Sequence, residues 1–140
     1  MEWLVLIGRL LFAVLFLGSG WGHFTQIQMM AGYAQSKGVP LARGSVIGTG
    51  VLIVVGALMV LLGVWADLGA LLLVVFLVPT AVVMHNFWNV DDPQSKQMEQ
   101  TQFLKDVALA GAALMLFVFF ATTPELGLTI TGPLLGGLFE

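Results

Sequence analysis

From Val46 to Val90 the chain carries one charge, Asp67, and nearly every other residue is apolar. A single α-helix over that stretch would be about 68 Å long, roughly twice the ~30 Å hydrocarbon core of a bilayer. The stretch therefore reads as two membrane spans joined by a turn. Gly63, Trp65 and Gly69 flank Asp67, which puts the turn there, with the carboxylate reaching water. The expected hairpin arms are about Val46–Val64 and Leu68–Phe87. In the second arm Pro79 removes an amide donor and frees the carbonyl of Val75, which bends a helix. Thr80 stands beside it as a substitute donor.

The remaining segments arrange themselves around this hairpin. Trp3 to Gly22 is an apolar run of spanning length. A secretory signal opens with a positive region, whereas this chain begins Met1-Glu2-Trp3 and places Arg9 inside the apolar run, so a retained first helix is expected. In Phe24–Arg43, Phe24, Ile27, Ala31 and Ala34 recur at helical spacing among glutamines, the pattern of a short helix lying at the membrane interface. Lys37-Gly38-Val39-Pro40 should stop it, since Gly suits the left-handed position after a helix and Pro cannot continue one. Asn89–Gln102 is the most polar stretch, and Asp92-Pro93 is a helix start signal. The fourth span follows over about Phe103–Ala121. The apolar tail Leu126–Phe139 is broken by Gly127, Gly132, Pro133, Gly136 and Gly137; too short to span, it is expected at the interface or packed on a partner.

The sequence thus predicts an all-α protein, one transmembrane domain over residues 1–140, built as a four-helix bundle with a short interfacial helix after the first span. Composition agrees: 59% of residues are hydrophobic and 9% charged, against about 25% charged in soluble domains. Gly18 and Gly22, Gly44 and Gly48, and Ala108 and Ala112 are spaced for close helix approach. With no cysteine, thiol chemistry and thiolate metal sites are excluded. The five basic residues are scattered, which argues against nucleic acid as a partner and leaves the lipid bilayer and other membrane subunits.

Four spans put both termini on one face, with segments 24–43 and 89–102 on the other. That second face holds Lys37, Arg43, Lys96 and Lys105, which by the positive-inside rule makes it cytoplasmic. Trp21 and His23 close the first span there, and His85, Asn86 and Trp88 close the third. The two histidines of the chain are therefore expected in one interfacial layer, offering an amphipathic ligand a polar rim, with Lys105 and Asp106 one turn inside the fourth span. The alternative reading makes these residues ordinary interfacial anchors. On the opposite face Arg9 needs an anion, and Asp67 is a candidate for a structural ion pair with it. A metal site from His23, His85 and nearby acids lacks a ligand-spacing motif and is not predicted.

These residues together resemble the DoxX family of small bacterial four-helix membrane proteins. The resemblance runs from about Gly8 to Phe120. It rests on Gly8-Arg9-Leu10-Leu11-Phe12, Ser19-Gly20-Trp21-Gly22-His23-Phe24, Gly32-Tyr33-Ala34, Lys37-Gly38-Val39-Pro40, Leu62-Gly63, His85-Asn86-Phe87-Trp88, and Phe103-Leu104-Lys105-Asp106 leading to Gly111. It implies a bacterial inner-membrane subunit tied to redox complexes, the family being named after a subunit associated with a thiosulfate:quinone oxidoreductase. Many members resemble one another in a helix-two glutamate shortly before the position of Gly56; here that stretch is Leu52-Ile53-Val54-Val55, and the carboxylate is absent. The leading expectation is a redox-associated subunit, not catalytic alone, with a quinone as its possible cofactor. A structural or assembly subunit is the alternative, and a small-solute transporter a third reading that the single broken helix disfavours.

Overall fold

Each long helix buries one narrow stripe. In the computed structural model, which describes residues 1–140, the buried positions of the first helix are Arg9, Ala13, Phe16, Gly20 and His23, a four-three-four-three spacing. The second span repeats it with Val46, Gly50, Ile53, Ala57 and Val60; the third runs close to it with Ala66, Ala70, Leu73, Leu77 and Ala81, four-three-four-four, and the fourth with Asp106, Ala110, Ala113 and Phe120, four-three-seven. A seam averaging 3.5 residues is the geometry of helices crossing at a shallow angle with interlocking side chains. The outer faces, where Leu11, Val51, Val75 and Met115 are exposed, meet the hydrocarbon.

The elements are α1 (Glu2–Thr25), α2 (Ile27–Ser36), α3 (Ala42–Leu62), α4 (Ala66–Met84) and α5 (Pro93–Ala121), with short 3₁₀ turns at Phe87–Asn89 and Gly136–Phe139. Four helices are long and apolar enough to cross a membrane, and the all-α four-span bundle predicted from the sequence is what the chain forms. α1 packs on α3, α3 on α4 and α4 on α5, while α2 lies against α3. Asp92 caps α5 by accepting from the Ser95 amide at 2.9 Å, and Gly38, with φ 81°, ends α2 as expected. α4 runs through Pro79 without interruption. With 29 residues, α5 is about 43 Å long, so its polar first turns stand outside the hydrocarbon.

The helices cross where glycine removes the side chain, though not at the glycines singled out by spacing. Gly18, Gly22, Gly44 and Gly48 have nothing near the position of a Cβ, whereas a Cβ on Gly20 would run into Val54 and one on Gly69 would lie 2.9 Å from the carbonyl of Gly56. These are the α1–α3 and α3–α4 contacts. Ala108 faces outward, and Ala110 and Ala113 take the inner stripe of α5. Spacing by four is blind to which face a pair occupies; only the full stripe fixes it.

On the termini face the expected ion pair is replaced by something else. Arg9 donates to three carbonyls: Nε to Val60 at 2.9 Å, Nη2 to Leu61 at 2.5 Å and Nη1 to Leu128 at 2.9 Å. Asp67, fully buried, accepts from the amides of Leu134 at 3.0 Å and Leu135 at 2.6 Å. The two charges do not meet. The carboxylate was expected in water at the hairpin turn, but that turn is Gly63–Trp65, and Asp67 sits inside the first turn of α4 beneath the tail. The tail folds back over its own bundle, and the amides of Ile130 and Thr131 reach the carbonyls of Leu62 and Gly63.

Asp67→Ala leaves two tail amides without an acceptor and should cost about 1–3 kcal/mol. In hydrogen exchange, Leu134 and Leu135 should lose protection while the centres of α3 and α4 keep theirs. Unchanged protection at both amides would show that the carboxylate does not hold the tail.

Candidate functional site

The opposite face is built by three chain segments that converge on His85. α4 ends at Met84, and the chain then bends through Asn86 into the 3₁₀ turn Phe87–Asn89, which leaves the imidazole beside the projecting turns of α5. Glu99 and Asp106 lie seven residues apart on α5, two turns along the same stripe. His85 stands between them: Nδ1 is 2.8 Å from Glu99 Oε2 and Nε2 is 3.6 Å from Asp106 Oδ2. From the third segment, Tyr33 of α2 donates its hydroxyl to Glu99 Oε1 at 2.6 Å, with the Met84 carbonyl 3.1 Å away. Lys37, one turn further along α2, donates to Asn86 Oδ1 at 2.7 Å and lies 5.4 Å from the centre of the Tyr33 ring.

Proton counting gives this arrangement its chemistry. A neutral imidazole has one N–H, yet both ring nitrogens of His85 face a carboxylate. Two states satisfy the set: an imidazolium between two carboxylates, or a neutral ring with the missing proton on a carboxyl. The contact with Glu99 is a hydrogen bond and the 3.6 Å approach to Asp106 an ion-pair distance, so three groups able to carry a proton gather at one end of the bundle. Asp106 is 5% exposed, with Lys105 Nζ 3.9 Å from its Oδ1; Lys105 also donates to Gln102 at 2.5 Å. Beside the cluster, Phe87, Trp88 and Phe103 form a triangle of edge-to-face rings with centroids 5.3 to 5.6 Å apart.

His85, Asn86, Trp88, Lys105 and Asp106, all anticipated from the sequence, come together here. His23 and Trp21 do not join them. His23 is buried in the inner stripe, donates Nδ1–H to the Ser19 carbonyl at 2.7 Å and packs edge-on against Phe76. Phe76 precedes His85 by nine residues, about 13 Å along α4, so the two histidines occupy different depths rather than one layer. Trp21 is 73% exposed on the lipid-facing surface. Tyr33 and Lys37 were not anticipated as site residues, and Glu99 only as one of the acids near His85. Their signals were present: Tyr33 and Lys37 are one turn apart on α2, and Glu99 is two turns before Asp106. No group of three histidines and acids is arranged to hold a metal ion.

Fold and site together define a multi-pass helical membrane protein with a titratable rim on one face. The sequence model of the DoxX family matches residues 4–86, more than half of the chain, and the protein belongs to that family. The matched region covers α1 to α4 and ends at Asn86, so the α5 half of the rim lies beyond it. No curated protein and no solved structure matches.

Tyr33 is the only tyrosine, so its ionisation reads out this cluster directly. Burial, then its hydrogen bond to Glu99 and the charge of that carboxylate, raise its pKa above the usual 10.0. A pKa raised on folding contributes stability that is constant below pH 10 and lost as pH rises further. Ultraviolet titration of the folded protein should show no tyrosinate at the usual pH, and Glu99→Gln should move the transition back toward it. Ordinary titration in the wild type would mean the hydroxyl is not paired.

Proposed function

We propose that this protein is an accessory subunit of a quinone-linked redox system in the bacterial inner membrane, and that its His85 face receives the headgroup of a quinone-like lipid. The observation that carries the reading is the imidazole of His85 set between Glu99 and Asp106, with Tyr33 behind Glu99, just beyond the end of α4. Reduction of a quinone to the quinol takes two electrons and two protons. The electrons belong to a partner enzyme; the imidazole–carboxylate set passes one proton to a headgroup oxygen and is reprotonated from water at the same face, and the second proton comes from that water. The rings of Phe87, Trp88 and Phe103 give the headgroup an apolar wall, and Asn86 and Lys105 its polar margin. Family membership supports the redox setting. The excess of Lys37, Arg43, Lys96 and Lys105 on this face supports a cytoplasmic orientation.

The second reading is an assembly subunit without a ligand. Its support is that Tyr33, His85, Asn86 and Glu99 already find partners within the chain, as a purely structural brace would.

Protein purified in mild detergent should carry extractable quinone, and His85→Ala should lower the retained amount about fivefold or more, the loss of one to two kcal/mol of hydrogen bonding. A quinone-free preparation that also fails to bind added quinone in titration would remove the ligand reading. Native mass measurement of the same sample then separates the two roles, since an assembly subunit should carry protein partners whether or not His85 is present.

A further inference from the structure

One hollow in the protein lies away from the His85 rim. It lies in the elbow between α2 and the start of α3, has a volume of about 530 Å³, and is lined by Ile27, Gln28, Ala31, Gly32, Gln35, Val39, Leu41, Ala42 and Arg43. Gln28, Ala31, Gly32 and Gln35 recur at three, four and seven residues, so they form one face of α2. Tyr33 and Lys37 occupy the other face. The hollow exists because that first face is short: a Cβ on Gly32 would meet nothing within 4 Å.

Its lining is divided. Ile27, Ala31, Val39 and Leu41 are apolar, and Leu41 is 88% exposed, an arrangement at home only against acyl chains. Gln28, Gln35 and Arg43 supply donors. Lys37 and Lys105 are engaged within the chain, and Arg9 is bound to three carbonyls. The remaining side-chain cations, Arg43 and Lys96, have neither a hydrogen bond nor an ion pair, and Arg43 borders the hollow. No carboxylate lines it.

We infer that this elbow binds an anionic phospholipid, with the phosphodiester on the Arg43 guanidinium and the amides of Gln28 and Gln35, and the first part of an acyl chain along Ile27, Ala31 and Val39. A guanidinium offers a planar fork of donors that matches phosphate oxygens. An interfacial helix beside a membrane span sets the hollow at headgroup depth, where an unpaired arginine is drawn to anionic lipid. This site lies on the opposite side of α2 from the His85 cluster and does not rest on the quinone reading.

The test is native mass spectrometry of the full chain released from nanodiscs of mixed phosphatidylglycerol and phosphatidylcholine. The wild type should retain one phosphatidylglycerol in preference to phosphatidylcholine. Arg43→Gln should reduce that retention about fivefold, and Gly32→Leu, whose Cβ meets nothing within 4 Å, should reduce it while thermal stability is kept. Lys96→Gln, an unpaired cation away from the hollow, should leave it unchanged. Equal loss in Lys96→Gln and Arg43→Gln would reduce the effect to surface charge and overturn the site. So would full retention in a folded Gly32→Leu protein, or displacement of the lipid by millimolar inorganic phosphate. Quinone content unaffected by Arg43→Gln is expected, and it keeps failure of this site separate from failure of the His85 reading.

Discussion

Hydrocarbon offers no hydrogen bonds, and the end of α3 is where that constraint is met most completely. The last carbonyls of a helix have no partner within it. Here those of Val60 and Leu61 go to the Arg9 guanidinium, and those of Leu62 and Gly63 to the amides of Ile130 and Thr131. A cation at the negative end of a helix is also favourable electrostatically. Asp67 completes the scheme in reverse, an acid in the first turn of α4 that accepts from the tail. Arg9 and Asp67 each answer a helix end and the returning tail, and an ion pair between them would leave five backbone contacts without their side-chain partner or, at best, in need of water.

The two faces therefore differ in kind. On the termini face, charge is tied to backbone, which has a fixed position and no protons to exchange. On the other, side chains are tied to side chains: Tyr33 and His85 to Glu99 by hydrogen bonds, with Asp106 3.6 Å from His85. The inner stripe connects them: Arg9 and His23 are its first and last positions in α1, and Asp106 begins it in α5. Polar residues at the ends of a stripe and alanine, leucine and phenylalanine between them let the same packing pattern serve both faces.

Features set by nearby residues were legible in the sequence. The spans, the Asp92-Pro93 start of α5 and the Lys37-Gly38 stop of α2 follow from local chemistry. What was missed depends on the third dimension. Gly18 and Gly22 carry the same spacing signal as glycines at a real crossing, and only the direction of the stripe tells Gly20 from them. His23 was assigned to the rim because it ends an apolar run, yet α1 continues to Thr25 and the stripe turns the imidazole inward. The tail could not be read because it is held by backbone amides of Leu134 and Leu135, which have no side-chain signature. Tyr33 and Glu99 looked like surface residues of polar segments, and they become partners only when α2 lies over the projecting turns of α5.

A ten-residue helix has no interior of its own, and α2 carries a different neighbour on each side. Tyr33 and Lys37 grip the end of α4 and the projecting part of α5, while Gln28, Ala31 and Gln35 wall the elbow before α3. With fewer than three turns joining the two sides, the wall of the elbow and the Tyr33–Glu99 bond are set by the same helix orientation. The elbow and the His85 cluster thus hang on the same short rod.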